Sequence, residues 1–315
     1  MTEPVAGGKI QETQIGRYRS TRGLDYQSVP WRLWEKSKKL FWDPADIDFS
    51  QDAIDWQTMS PRQRTRVALS ARGFMVGEEA VTLDIVPLLR CMSELGRLED
   101  TMYLSMFAME EAKHTEMFRR WFDAVAMDPA ELDDLVREQQ TALGQYRNGI
   151  FDGVLTEVMR RLDTDRSPQA ILDATIIYNQ LVEGVAAIAG YRRWDETFRF
   201  LGKLPGLAAG IKLTQRDERR HIAYGTYLGR RIIAENPELW PWVERRWEEL
   251  TASFSGAYGA AEAEARAAAG FDDEYQRELA KRRLEALAVA RTMNATEVDA
   301  SAVEAFEPEE LQHVV

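Results

Sequence analysis

The chain has 315 residues, 45% of them hydrophobic, with a formal net charge of −12 and a pI of about 5.0. This charge argues against nucleic acid or an anionic membrane surface as a partner, because both attract basic proteins. The first residues, MTEPVAGGKIQET, lack the apolar segment of a signal peptide, and no run of about 18 apolar residues predicts a membrane span. A single cysteine, Cys91, allows no intrachain disulfide. We therefore expect a cytoplasmic protein with no transmembrane segment and no nucleic-acid partner.

The predicted elements are helical almost throughout. Residues 1–25 are polar, contain glycine and show no period, so we expect a flexible N-terminal arm there. An aromatic segment follows, expected to pack across the body of the protein: Trp31, Trp34, Phe41, Trp42 and Trp56. Helical spacing of apolar residues and start signals at proline then predict long helices over about 60–89, 95–126, 167–200, 206–235, 238–267 and 272–292.

No segment with the period of a strand interrupts these helices. Proline and glycine fall between them, and no linker is long enough to divide two domains. We predict an all-α fold with one helical domain over residues 26–293, built as a bundle with additional helices. Residues 294–315 are acidic, and we expect them to form a disordered tail.

A Glu-x-x-His pattern occurs twice. The chain has three histidines; His114 follows Glu111 in EEAKHTEMF, and His221 follows Glu218 in DERRH. On a helix this spacing places both side chains on one face, where a carboxylate and an imidazole reach the same metal ion. A single copy is expected by chance as a surface ion pair, but the second copy, on another predicted long helix, favours a metal site.

Each motif follows a further acid on an apolar helix. Glu78 precedes Glu111 by 33 residues, and Glu183 precedes Glu218 by 35. An acid in such a setting is unfavourable unless it is paired or binds a metal. Glu79 and Glu110 adjoin two of these residues, but apolar stripes favour Glu78 and Glu111 as the inward-facing acids. Four carboxylates and two imidazoles form the ligand set of ferritin-like di-iron and di-manganese proteins, and their four negative charges balance two divalent cations. The alternative is a pair of surface ion pairs and two unrelated buried acids.

This set of residues resembles the ribonucleotide reductase small-subunit superfamily, from the segment KKLFWDPADIDFSQDAIDW to about residue 260. The resemblance implies a ferritin-like four-helix bundle core whose metal ligands are Glu78, Glu111, His114, Glu183, Glu218 and His221. Reductase small subunits usually carry a radical tyrosine four residues after the first motif histidine, and here that position is Phe118. They also usually carry a tyrosine near the C-terminus, whereas the last tyrosine here is Tyr275.

Other positions resemble the ligand-binding oxidase branch of that superfamily. Val81 and Tyr178 match the valine and tyrosine that become joined by an ether bond in that branch. The resemblance implies a Mn/Fe cofactor, dioxygen as co-substrate, a long-chain fatty acid bound at the metals, and a homodimer. On a regular helix Tyr178 would lie roughly 140° away from Glu183, so a large inward-reaching phenol or a π-bulge is needed to bring it to the site.

Several alternatives remain open from the sequence. The pair could be Fe/Fe, because its ligand types would be identical. The protein could be a small subunit of a ribonucleotide reductase of the Mn/Fe type without a tyrosyl radical, acting through a large partner. It could also store metal or bind lipid without turnover. Apolar residues that could line a fatty-acid channel are Phe74, Met117, Ala187 and Ile188.

Overall fold

The computed structural model describes residues 23–133, 153–252 and 272–313, and every regular element in these ranges is helical. Most of the predicted arm, residues 1–22, lies outside them, as does the part of the predicted 238–267 helix after residue 252. The α-helices are α1 (Val29–Lys39), α2 (Ser50–Thr58), α3 (Pro61–Asp84), α4 (Val86–Glu94), α5 (Leu98–Ala124), α6 (Thr156–Arg161), α7 (Pro168–Thr175), α8 (Ile188–Leu201), α9 (Pro205–Glu235), α10 (Trp240–Thr251), α11 (Asp273–Ala288) and α12 (Ala295–Ala300). A π-helix, Ile176–Ala187, joins α7 to α8 without a break.

Four of these elements form the core of the bundle. Helix α3 packs against α5, the π-helix packs against α9, and α5 contacts α9. The all-α prediction is confirmed. The start of α3 is also confirmed, since Ser60 and Gln63 form the reciprocal capping box that the sequence indicates. The predicted 60–89 helix is instead divided at Ile85, and α4 begins with Pro87 in its first turn, where its missing N–H group is tolerated.

Helix α9 begins at a fixed point because two aspartates of α2 hold its first turn. Asp52 is fully buried and accepts hydrogen bonds from the backbone N–H groups of Gly206 and Leu207, both at 2.8 Å. Asp55 accepts from the N–H of Leu204 at 2.9 Å, where the backbone is left-handed with φ of 65°. Helix N-termini favour such anionic partners, so these contacts set the position of the helix that carries Glu218 and His221.

The stretch from Pro168 to Leu201 is apolar and long enough to cross a membrane by composition alone. Its most apolar window of 18 residues has a mean hydropathy of 1.3, and 89% of that window is buried inside the protein. The burial identifies this stretch as a core element of the bundle, in which apolar residues face neighbouring helices on all sides.

The C-terminal segment, residues 294–313, is ordered, and the prediction of a disordered tail is wrong for these residues. Asn294 and Glu297 form a capping box for α12, and Phe306 is 1% exposed. The carboxylate of Glu307 is enclosed and binds Lys36 of α1 and Arg219 of α9. An acidic composition predicts disorder only where the acids lack partners and apolar anchors, and this segment has both.

We expect Phe306→Ala to lower the free energy of unfolding by about 3–5 kcal/mol, the usual cost of emptying a buried phenylalanine site. The Phe306 ring makes an edge contact with Tyr227 and lies under the Arg230 guanidinium. Denaturant unfolding of the metal-free protein, followed by circular dichroism, measures the change. Phe200→Ala is the matched control because Phe200 is 83% exposed. Equal stability of the two variants would show that the C-terminal segment does not belong to the cooperative core.

Candidate metal centre

The six residues predicted as metal ligands meet at the centre of the bundle. Their ligand atoms form two groups in which all atoms lie within 4.8 Å of one another, and every member is buried. One group comprises Glu78, Glu111, His114 and Glu218, and the other Glu111, Glu183, Glu218 and His221. Glu111 and Glu218 belong to both groups, so each would be within reach of both metal positions.

The histidine nitrogens face the carboxylates through Nδ1. His114 Nδ1 lies 3.3 Å from Glu78 Oε2 and 3.4 Å from Glu111 Oε2. His221 Nδ1 lies 3.1 Å from Glu111 Oε1 and 3.5 Å from Glu218 Oε2. Each helical Glu-x-x-His pair thus converges on one point, as the i, i+3 spacing predicts.

Glu183 is positioned by Asn179, one turn earlier in the π-helix. Asn179 Nδ2 donates to Glu183 Oε2 at 2.9 Å, and the asparagine is fully buried against Gly225 of α9. A Cβ atom on Gly225 would lie 2.1 Å from Asn179 Cβ, so no larger residue fits there without displacing the asparagine. Close approach of α9 to the π-helix therefore fixes the Glu183 carboxylate.

Two acids that the sequence analysis did not select hold the outer nitrogens of the histidines. Glu110 Oε2 lies 2.9 Å from His221 Nε2, and Asp217 Oδ2 lies 3.3 Å from His114 Nε2. Such partners orient metal-binding histidines and fix their tautomers. The sequence does contain a signal for them, because an acid precedes the glutamate in both motifs, EExxH and DExxH. Glu79, in contrast, is exposed, in agreement with the choice of Glu78.

Burial and neighbouring charges together set the pKa values of the cluster. Burial raises the pKa of Glu78 to about 8, and it also raises the pKa values of Glu183 and Glu218. Burial alone would raise the pKa of Glu111 too, but the adjacent histidines His221 and His114 outweigh it and lower that pKa to about 2. The histidine pKa values lie well above normal because neighbouring carboxylates overcome the effect of burial.

The arrangement fits a pair of divalent metal ions. Five buried polar atoms of the cluster have no hydrogen-bond partner of acceptable geometry among the described residues: both Glu111 oxygens, Glu183 Oε1, Glu218 Oε2 and His221 Nδ1. Buried polar atoms are normally satisfied, so atoms that converge without partners indicate a binding site for a ligand. Carboxylate oxygens and imidazole nitrogens are donors that suit manganese and iron.

Tyr178 reaches the site from the π-helix. It is fully buried, and its hydroxyl donates to the backbone carbonyl oxygen of Val81 at 3.1 Å. A π-helix has i→i+5 hydrogen bonds, so Tyr178 and Glu183, five residues apart, come onto nearly the same side. Of the two solutions that the sequence left open, the structure has the π-helical one. Phe118 is also fully buried and packs near Phe74, with ring centroids 6.0 Å apart.

Comparisons with known proteins agree with this geometry. The family model for the ribonucleotide reductase small chain matches residues 24–254. The R2-like ligand-binding oxidase from Sulfolobus acidocaldarius is 38% identical, with a TM-score of 0.76, and the match covers 88% of this chain and 96% of that one. A variant of an R2-like ligand-binding oxidase with an anaerobically reconstituted Mn/Fe cofactor is 33% identical, with a TM-score of 0.75, and the match covers 85% of this chain and 96% of the other.

A further variant of an R2-like ligand-binding oxidase, with an aerobically reconstituted Mn/Fe cofactor, is also 33% identical. Its TM-score is 0.73, and the match covers 86% of this chain and 96% of the other. These matches extend over nearly the whole length of the related chains and include the bundle and the carboxylate–histidine cluster. The chain therefore belongs to the ribonucleotide reductase small-chain family and, within it, to the R2-like ligand-binding oxidases.

Proposed function

We propose that this oxidoreductase activates dioxygen at a Mn/Fe pair held by Glu78, Glu111, His114, Glu183, Glu218 and His221. The observation that carries the proposal is the convergence of four carboxylates and two imidazoles in two buried groups that share Glu111 and Glu218. When bound, the metal pair supplies the reduction of dioxygen. The Mn/Fe composition is supported by the cofactors of the related oxidases, and Fe/Fe is the alternative.

The protein provides a preorganised site for the metal pair that is shielded from water. All six ligand residues are at most 6% exposed, so water has little access to the reacting atoms. Exclusion of water strengthens electrostatic interactions within the site and protects reactive intermediates from side reactions. Phe118 lies where a radical tyrosine would stand in a reductase subunit, so oxidising power is directed to other groups near the cluster.

Those groups are Val81 and Tyr178, which we propose become joined by an ether bond between Val81 Cβ and the Tyr178 oxygen. The hydrogen bond from the Tyr178 hydroxyl to the Val81 carbonyl already places the phenol against the residue it would join. Bond formation removes one hydrogen from Val81 Cβ and the phenolic hydrogen from Tyr178. Dioxygen accepts these two electrons and two protons, which reduce it to the level of hydrogen peroxide. Two further electrons, which the metal pair would supply when bound, and two further protons would complete its reduction to water.

We propose a long-chain fatty acid as the ligand, its carboxylate at the metals and its tail among apolar residues. An aromatic cluster adjoins the site on the side of α3 and α8. Phe74 packs on Tyr191, with ring centroids 5.5 Å apart. The Tyr191 hydroxyl in turn donates a hydrogen bond to Glu218 Oε1 at 3.3 Å. Phe74 fills the space above Gly190, where an added Cβ would lie 2.4 Å from the ring. A tail that enters here would displace the Phe74 ring.

Aerobic loading with Mn²⁺ and Fe²⁺ should yield a peptide that joins Val81 and Tyr178 and is lighter than the sum of its parts by two hydrogens. Tandem mass spectrometry of a digest detects it, and solvent extraction of the same preparation should release the fatty acid. Tyr178→Phe is the matched control, since it removes only the oxygen that forms the bond. Recovery of both peptides intact after every loading condition would refute the cross-link.

The alternative, a small subunit of a ribonucleotide reductase, has less support. The solved structures reported above are ligand-binding oxidases, and Phe118 occupies the position at which reductase subunits usually carry a radical tyrosine. Under the oxidase proposal, addition of a reductase large subunit gives no nucleotide reduction.

We further propose a cytoplasmic homodimer. The only cysteine, Cys91, is a buried free thiol, which fits a reducing compartment. Val76 and Leu83 lie two turns apart on α3 and are 44% and 67% exposed, so this helix presents apolar surface to a second subunit. Sedimentation analysis of the purified protein tests the dimer, and a monomer at micromolar concentration would contradict it.

A further inference from the structure

One guanidinium joins the two carboxylates that hold the histidines. Arg220 on α9 is fully buried, and its Nη2 donates to Glu110 Oε1 and to Asp217 Oδ1, each at 2.5 Å. The other oxygens of these carboxylates meet the outer nitrogens of His221 and His114. A continuous chain of contacts therefore runs from one imidazole through Arg220 to the other.

The remaining donors of Arg220 fix its position. Nε donates to Ser37 Oγ of α1 at 2.8 Å, and Nη1 donates to the backbone carbonyl of Arg216, one turn earlier, also at 2.8 Å. A planar guanidinium offers donors in a rigid fork, so it can hold two carboxylates and two further acceptors in one arrangement. The ammonium of a lysine, with three donors at one point, cannot reproduce this pattern.

The charges around the histidines also balance. Asp217 Oδ2 accepts from Lys113 Nζ at 3.0 Å and from Trp42 Nε1 at 2.8 Å. Arg220 and Lys113 together neutralise the two outer carboxylates, Glu110 and Asp217. The negative charge of the four inner glutamates is then left for the metal ions, and removal of Arg220 would leave a buried acid without its cation.

We propose that Arg220 is a positioning residue for both metal positions at once, acting through Glu110 on His221 and through Asp217 on His114. This inference rests on the proposed function, because it assigns Arg220 a role toward the metal pair. Within the described part of the chain, Arg220 is the only residue that bonds to both outer carboxylates. The affinities of the two metal positions are therefore coupled through it.

Anaerobic titration of the full-length metal-free protein with Co²⁺ tests the coupling, with the visible absorption of bound Co²⁺ as a signature of ligand geometry. We expect Arg220→Met to weaken both binding steps by roughly 10–100-fold, the usual effect of losing an outer partner of a metal ligand. Glu110→Gln and Asp217→Asn should each weaken mainly one step. Arg216→Met is the matched control on the same helix, since its side chain bonds only to the Leu40 carbonyl among the hydrogen bonds described.

A double-mutant cycle separates coupling from a merely structural effect. The effects of Glu110→Gln and Asp217→Asn on Co²⁺ affinity should be non-additive when Arg220 is present and additive in the Arg220→Met background. If Arg220→Met alone folds poorly, the cycle with Arg220 present still tests the inference, because all of its variants keep the guanidinium. Wild-type affinity for Arg220→Met, loss of only one step, or additivity with Arg220 present would overturn the inference. Failure of the wild type to bind a pair of Co²⁺ ions would refute the proposed function itself.

Discussion

Glu111→Ala is expected to abolish stoichiometric metal binding, with metal content falling from a pair of ions to less than one per chain. Glu111 belongs to both ligand groups and faces the Nδ1 atoms of both histidines. Loss of this residue removes a donor from each metal position. Metal affinity should therefore fall by more than the ~10–100-fold that follows removal of a hydrogen-bond partner of a ligand. Elemental analysis after anaerobic loading and desalting measures the metal content.

His221→Ala should have a similar effect, because it removes the only imidazole of the second group. Each ligand variant has a control of the same residue type. Glu79 is exposed beside Glu78, and His313 is exposed near the C-terminus, so Glu79→Ala and His313→Ala should retain the full pair of ions. Circular dichroism verifies that all four variants are folded. Normal metal content in both Glu111→Ala and His221→Ala would refute the assigned site.

Metal binding should release several protons per chain, and its affinity should rise steeply between pH 6 and pH 8. In the metal-free protein the pKa of Glu78 is raised to about 8, and the pKa values of Glu183 and Glu218 are also raised. Burial would lower the pKa values of His114 and His221, but the neighbouring carboxylates outweigh it and raise both well above normal. Metals bind the carboxylate and the neutral imidazole, so these protons must leave.

Calorimetry of metal binding in buffers with different protonation enthalpies counts the protons at each pH. Each released proton contributes roughly a tenfold increase in affinity per pH unit, and the contribution of Glu78 should end above about pH 8. Glu79→Gln is the control, because Glu79 is exposed outside the cluster and its replacement should leave the proton count unchanged. A binding enthalpy that is independent of the buffer would contradict the prediction.

The same shifts determine the stability of the metal-free protein. The pKa of Glu78 is higher in the folded chain than its ordinary value of 4.5, so its contribution to stability is fully present below about pH 4.5. The contribution is lost as the pH rises toward about 8, because the carboxyl must then ionise in a buried environment that disfavours its charge. Added metal ions should therefore raise the melting temperature more at pH 8 than at pH 6. The affinity for metal ions is higher at pH 8, and the metal-free folded protein is less stable there.

The repeated Glu-x-x-His pattern and the acids Glu78 and Glu183 were sufficient to predict the cluster, for a local reason. Helical periodicity determines which residues share a face, and an acid on an apolar face needs a partner. Identification of Glu110 and Asp217 needed the tertiary structure, because each acid contacts the histidine of the other motif, more than 100 positions away. Periodicity within one helix carries no information about that pairing.

For the C-terminal segment, the prediction from composition was wrong rather than incomplete. Its acidic composition predicted disorder, but Glu307 pairs with Lys36 and Arg219, residues that are remote in sequence. The position of Tyr178 was also undecided, since a regular helix would turn it away from Glu183. In the tertiary structure the segment around Tyr178 is a π-helix that packs closely against α9 at Gly225, and the phenol lies at Val81.

Residue types and their spacing were enough to predict the helical fold, the inner carboxylates and histidines, and the lack of a tyrosine at position 118. These features depend on residue identity and on spacing within single helices. The folded bundle was needed to show which outer partners hold the histidines, how the C-terminal segment is enclosed, and where Arg220 lies between the two halves of the site. Those features depend on contacts between distant parts of the chain, which form only when the bundle packs and buried charges must find partners.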